Sequence, residues 1–96
     1  MALTKALAQG LSPSGILVNS IAPGGISTPG AAAMAAASGM APDQLEEMSK
    51  AYVQRLPIRR IGEPDDVVGA ALFLASAASN YMVGSTLVVD GGALIS

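Results

Sequence analysis

Among 96 residues there is no histidine and no cysteine. Without histidine the chain lacks the usual general base for work near neutral pH. Without cysteine it has no thiol nucleophile, and the two absences together remove most zinc and iron sites. A disulfide framework is excluded as well, which fits the cytoplasm. Charge is scarce. Five Lys/Arg and seven Asp/Glu make 12% of the residues, with a net charge of −2, where ordinary globular chains carry roughly twice that charged fraction. Five scattered cations give no footprint for nucleic acid. The longest apolar run, Val67 to Ala78, is broken by Gly69 and Ser76 and falls short of the ~20 residues of a membrane span. The N-terminus does not open on a charged start followed by an apolar block, so no signal peptide is expected. No G-x-G-x-x-G phosphate loop occurs anywhere in the sequence.

What remains is strongly apolar. Hydrophobic residues make up 51% of the chain and the mean hydropathy is +0.51. A chain of this length fits one domain at most and buries only somewhat over ~60% of its unfolded surface. So few charges cannot cover the outside of so small a body. The excess apolar surface is expected to meet another copy of the chain or a partner domain.

Leu3, Leu7 and Leu11 recur at helical spacing with Ala6 between them, which predicts a helix over Met1 to Leu11. No N-cap precedes this pattern, as though the helix were entered partway, and truncation is an expectation that follows. Ile16 to Ala22 is a short, mostly apolar run bounded by Gly15 and Pro23, the profile of a buried parallel strand. Pro23-Gly24-Gly25 then forms a loop at the carboxyl end of that strand, where open parallel sheets bind ligands.

Ala31 to Ala37 predicts a short helix. A clearer one runs from Pro42 to Leu56, with Asp43, Glu46 and Glu47 toward its positive end, Arg55 at its negative end, and Leu45, Met48, Tyr52 and Leu56 in one stripe. These two helices, lying between a strand end and the next packed element, read as a lid. Pro64, Asp65 and Asp66 open a further helix. From Val67 to Ala75 that helix is apolar on every face, which predicts burial all round, one side on the sheet and the other against a second surface that this chain has little left to supply. Thr86 to Val89 reads as a short apolar strand, and Asp90-Gly91-Gly92 as a turn with positive φ. Two apolar strands joined through a helix favour parallel pairing.

Four stretches, LTKALAQGL, GILVNSIAPGGISTP, PIRRIGEPDDVVGAALFLAS and YMVGSTLVVDGG, resemble the C-terminal part of a short-chain dehydrogenase/reductase, near its ketoacyl-reductase and glucose-dehydrogenase-like branch. They stand in family order and at family spacing, and cover nearly the whole chain. The resemblance implies an α/β fold, the last two parallel strands and flanking helices of a Rossmann-type doubly wound sheet. This would be a single partial domain over residues 1–96, divided into helix, strand and PG loop (1–26), a lid-like helical insert (27–56), and helix, strand and turn (57–96).

The family transfers hydride between NAD(P) and an alcohol or carbonyl. The resemblance carries four cofactor contacts onto this chain. Pro23 and Gly24 would shape the loop beneath the nicotinamide, Ile26 would offer backbone groups to the carboxamide, and Thr28 would offer a hydroxyl to the carboxamide or the phosphates. Asn19 would be structural. Val83 stands where many members have threonine. The family's glycine-rich loop, catalytic serine and Tyr-x-x-x-Lys pair match nothing in this sequence, so the chain by itself is expected to bind no cofactor and to catalyse no hydride transfer.

Other chemistry finds little support. Ser49 and Lys50 are helix neighbours and do not face each other. Tyr52 and Tyr81 read as core or interface residues, and Asp65 and Asp66 as helix-start charges. Arg59 and Arg60 are either a phosphate grip or solvated, loop-tying residues. Three classes of function stay open: a dehydrogenase fragment, an independent self-associating protein, and an activity recruited at an oligomer cleft. The expected partner is a second copy of the chain, met through the Val67–Ala75 helix and the Thr86–Val89 strand, with no nucleic acid and no membrane. The coding sequence upstream of Met1 separates a fragment from an independent protein.

Overall fold

Apolar periodicity, proline at helix starts and glycine at turns divide the chain into four helices and two strands. In the computed structural model, which describes residues 1–96, these are α1 (Ala2–Leu11), β1 (Ser20–Pro23), α2 (Pro29–Ala37), α3 (Pro42–Arg55), α4 (Asp65–Ala75) and β2 (Thr86–Val89). Contacts group the residues into two units, one of Met1–Pro23 with Asp65–Val89, the other of Gly24–Pro64 with Asp90–Ser96. No helix is long and apolar enough to cross a membrane.

The first unit is built on β1 and β2, which pair in parallel with Ser20 opposite Thr86 and Pro23 opposite Val89. Proline is tolerated at the last strand position, where no ladder donor is needed. The Ser20 and Thr86 hydroxyls bond across the pair at 2.8 Å. The second strand is the one expected from the sequence. The first is shorter than Ile16–Ala22 and shifted, and the reason is its partner. Residues before Ser20 face a turn, not a strand. The Gly84 N–H donates to the Val18 carbonyl at 2.8 Å, and Asn19 spans the same turn with its side chain.

In α1 the side that packs inward is not the leucine row. Thr4 and Ala8 are buried while Leu3 and Leu7 are exposed. A Cβ on Gly84 would lie 3.4 Å from the Ala8 Cβ, an ordinary contact distance, so this side of the helix meets the turn at Gly84, where a φ of 73° favours glycine. Gly15, with φ of 83°, closes the turn after α1.

Helix α4 contacts both strands, as a parallel crossover requires. Its other side has no cover within the chain, as its all-round apolar surface beside so short a remainder leads one to expect: no residue of α4 is buried, and Leu72 remains 65% exposed. The unit contains only two strands, so its own elements cover one side of this helix and leave Val68, Leu72 and Phe73 outside. Ser79, itself buried, ends the helix by donating to the Leu74 and Ser76 carbonyls at 3.0 and 3.1 Å.

In the second unit, α2 starts two residues earlier than alanine content alone predicts. Thr28 Oγ1 accepts the Ala31 N–H at 3.0 Å, and Pro29 takes the first helical position. No residue of α2 is buried. Helix α3 differs from it. Its apolar stripe is exposed at Met48, half-buried at Tyr52, and at Leu56, just past the helix, only 2% exposed. Glu46 and Lys50 pair at 3.1 Å, both in solvent, so the pair adds only a few tenths of a kcal/mol, ~0.3–0.5. At its start, Gln44 Oε1 accepts the Ala41 N–H at 3.2 Å.

Candidate functional site

The loop that follows β1 carries three of the four residues singled out above, Gly24, Ile26 and Thr28, and all three belong to the second unit. Pro23 is the last residue of β1 and of the first unit, where its ring fixes φ as the loop begins. The loop is not loose. It is held in succession at Gly24, Gly25, Ser27 and Thr28.

Gly24 lies against Asp90. A Cβ on Gly24 would fall 2.8 Å from the Asp90 Cβ and 2.9 Å from its Cα, a backbone neighbour that cannot rotate away. Asp90 is fixed in turn. Its carboxylate accepts the Gly92 N–H at 2.9 Å and the Leu94 N–H at 3.1 Å, an arrangement typical of aspartate in turns. Gly91 and Gly92 have the positive φ that the sequence called for, 63° and 95°.

Gly25 is held at both of its polar groups. Its N–H donates to the Tyr52 hydroxyl at 3.1 Å, and its carbonyl accepts the Gly62 N–H at 3.0 Å. The Ser27 N–H donates to the Gly62 carbonyl at 2.8 Å, which completes a parallel bridge between Ile26 and Gly62. A bridge of this kind uses the groups flanking its central residue. In a trans peptide, C=O and N–H point in opposite directions. The Ile26 N–H therefore points away from Gly62, because the Gly25 carbonyl in the same plane points toward it. The Ile26 carbonyl does likewise, opposite the Ser27 N–H. One donor and one acceptor emerge side by side from a clamped backbone. Such a pair is complementary to a primary carboxamide, which offers one carbonyl oxygen and an NH2. Two residues on, the Thr28 hydroxyl uses an oxygen lone pair to cap α2 and retains its O–H as a donor.

The remaining candidates sit elsewhere. Asn19 Nδ2 donates to the Met82 carbonyl at 3.0 Å and its Oδ1 accepts the Ser85 N–H at 3.0 Å, a structural role within the first unit. Arg59, a non-glycine with φ of 60°, donates from Nη1 to Gln54 Oε1 at 3.0 Å, which makes it a loop tie. Tyr81 is fully exposed and so is no core residue. Asp65 and Asp66 occupy the first turn of α4, and no group of acidic side chains is arranged to hold a metal ion.

Three members of this arrangement, Tyr52, Gly62 and Asp90, were not assigned to a site from the sequence, where Tyr52 reads as a packing residue and Asp90 as part of a turn. A signal existed only for Tyr52, a hydroxyl inside an apolar stripe, since such a group needs a partner when it is buried.

The family model described as enoyl-(acyl carrier protein) reductase matches residues 1–93. The chain is 41% identical over 93 residues to oxidoreductase UcpA of Salmonella typhimurium, covering 97% of this chain and 35% of that protein. It is 45% identical over 90 residues to 2-dehydro-3-deoxy-D-gluconate 5-dehydrogenase of Bacillus subtilis, covering 94% and 32%. The crystal structure of a putative 2-deoxy-D-gluconate 3-dehydrogenase from Agrobacterium tumefaciens with bound NADP superposes with a TM-score of 0.80 at 43% identity, over 99% of this chain and 35% of that one. The chain thus spans about a third of the length of the relatives it matches.

Proposed function

The chain belongs to the short-chain dehydrogenase/reductase family, and we propose that it is the C-terminal part of an NAD(P)-dependent oxidoreductase fold, supplying the backbone that receives the nicotinamide end of the cofactor. The observation that carries this reading is the outward-facing N–H and C=O of Ile26, held in place by the Gly62 bridge. That pair fits a nicotinamide carboxamide in both of its hydrogen-bonding senses. Gly24, whose missing side chain makes room for the Asp90 backbone, shapes the loop beneath the ring. Thr28 keeps an O–H to donate to the carboxamide or a phosphate. Pro23 fixes the backbone where the loop leaves the strand.

When bound, the cofactor supplies the carbon that gives or takes hydride. These 96 residues contain no glycine-rich phosphate loop and no Tyr-x-x-x-Lys pair. Only one end of the cofactor is therefore met by this chain, and no side chain of the loop is placed to move a proton to or from a substrate. Binding by this chain alone, expected from the sequence to be absent, should be no tighter than the millimolar range, a Kd of ~1 mM being worth only about −4 kcal/mol. The pure 96-residue chain, incubated with NADH or NADPH and a panel of ketones, aldehydes and sugar acids, should show no loss of reduced-nicotinamide absorbance above a protein-free control. Sustained turnover that survives repurification would overturn this reading. The absence of cysteine supports a cytoplasmic place for it.

A second reading is favoured by a separate observation. Val68, Leu72 and Phe73 form an exposed apolar row on α4, and β1 and β2 form a sheet of only two strands, whose outer edges are open to pairing. Self-association through α4 and β2 would cover both, whether or not the chain serves as part of an enzyme. Sedimentation at micromolar concentration should find a homo-oligomer, and a stable folded monomer would contradict it.

A further inference from the structure

We infer that Tyr52 is a positioning residue for the nicotinamide loop: its hydroxyl locks Gly25, and through Gly25 it sets the direction in which Ile26 presents its donor and acceptor. The inference rests on the function proposed above, in which that pair meets the carboxamide.

Gly24 and Gly25 are consecutive glycines, the residues with the widest φ/ψ freedom. A loop starting on two of them would sample many orientations of the next peptide planes unless something held it. Gly62 holds one side, through the Gly25 carbonyl and the Ser27 N–H. Tyr52 holds the other, by accepting the Gly25 N–H at 3.1 Å. The phenol also lies directly on the backbone. A Cβ on Gly25 would stand 2.8 Å from both Cε1 and the hydroxyl oxygen of Tyr52. Gly25 is not among the glycines with positive φ, so glycine is needed here for room, and the side chain that takes the room is Tyr52.

The anchor is itself anchored, because Leu56, four residues on and just past the end of α3, is among the most buried apolar side chains in the chain. With the Gly25 N–H and C=O both engaged, its backbone cannot rotate without breaking a bond. The Ile26 N–H, antiparallel to the Gly25 carbonyl in one planar unit, then keeps a constant direction. Tyr52 touches neither cofactor nor reacting atoms in this account. It acts through the loop.

Tyr52→Phe removes the acceptor and keeps the ring. In the nitrogen-labelled 96-residue chain, amide exchange at Gly25 should accelerate about three- to tenfold, the range expected for one net hydrogen bond. Titration with NADP should move the Ile26 amide resonance in the parent chain, and the midpoint should rise by a similar factor in Tyr52→Phe. Leu45→Ala, at a half-buried position two turns before Tyr52 on the same helix, serves as the stability control. It should lower the urea midpoint while leaving the NADP midpoint unchanged, a separation that a merely structural role for Tyr52 would not produce. Unchanged Gly25 exchange and an unchanged NADP midpoint in Tyr52→Phe would overturn the inference, as would equal NADP shifts in both variants. If NADP leaves Ile26 unmoved in the parent chain while Gly25 exchange still accelerates in Tyr52→Phe, the lock stands and the nicotinamide reading falls.

Discussion

Replacing Asn19 with alanine should destabilise the strand pair by about 2 kcal/mol, taking each of its two bonds at a net ~1 kcal/mol. The side chain bridges the turn before β2 with both ends of its amide. Nδ2 donates to the Met82 carbonyl and Oδ1 accepts the Ser85 N–H, each at 3.0 Å. Alanine removes both bonds and strands a backbone donor and acceptor. Asn19 is half-buried, so water reaches part of the gap. The loss should range from ~1 kcal/mol with full rehydration to ~3 with little. Collapse of the whole turn is not expected, because Gly84 N–H to Val18 O at 2.8 Å and Ser20 N–H to Ser85 O at 2.9 Å still tie it to β1.

Asn19→Asp divides the effect. It keeps an acceptor for Ser85 but turns a second acceptor toward the Met82 carbonyl, so it should be no milder than alanine. The assay is urea unfolding followed by circular dichroism at one fixed protein concentration, since self-association would shift the apparent stability. Hydrogen exchange at the Ser85 amide gives the local reading. A change under about 0.5 kcal/mol, within the ordinary scatter of surface substitutions, together with unaltered exchange at Ser85, would refute the reasoning.

Two further substitutions probe the loop and the exposed helix. Gly24→Ala should cost about 1–3 kcal/mol through overpacking against the Asp90 backbone, measured as a lower unfolding midpoint. By contrast, Gly30→Ala, whose Cβ would meet only the Thr28 hydroxyl at 3.9 Å, should be neutral or stabilising by up to ~1 kcal/mol from helix propensity. Equal effects would mean that the close approach at Gly24 is not real. Leu72→Lys places a charge at a position 65% exposed in the isolated chain. It should leave the monomer's fold intact by circular dichroism and shift sedimentation toward smaller species, and an unchanged distribution would remove α4 from the interface.

Much of the fold was legible because its signals are local. β2 runs over the residues expected, Thr86–Val89, since an apolar run ending in Asp-Gly-Gly has one plausible extent. Helices α3 and α4 begin beside Pro42 and Pro64 with their acidic first turns because proline and the helix dipole act within a few residues. The turn at Gly91 and Gly92 has positive φ for the same kind of reason. Family membership was legible too, since it rests on short stretches in a set order. Within the site, the sequence pointed to the loop but not to what holds it. Tyr52 and Gly62 lie 27 and 37 positions beyond Gly25, and nothing in their local spacing announces that they meet it.

By itself, then, the sequence determined where β2 and the proline-led helices α3 and α4 lie, the parallel α/β character, and the family, because propensity, capping and turn chemistry act over a few neighbouring residues. The structure alone decided which sides face inward. It set Thr4 and Ala8 of α1 inside rather than the leucines, because theirs is the side of the helix that meets the turn at Gly84. It shortened β1, because a strand extends only as far as its partner. It left α4 half uncovered, because a two-stranded sheet offers a single surface to pack against. And it made Gly24 and Gly25 a matter of room rather than of backbone conformation, since the neighbours that fill that room, Asp90 and Tyr52, are brought there only by folding.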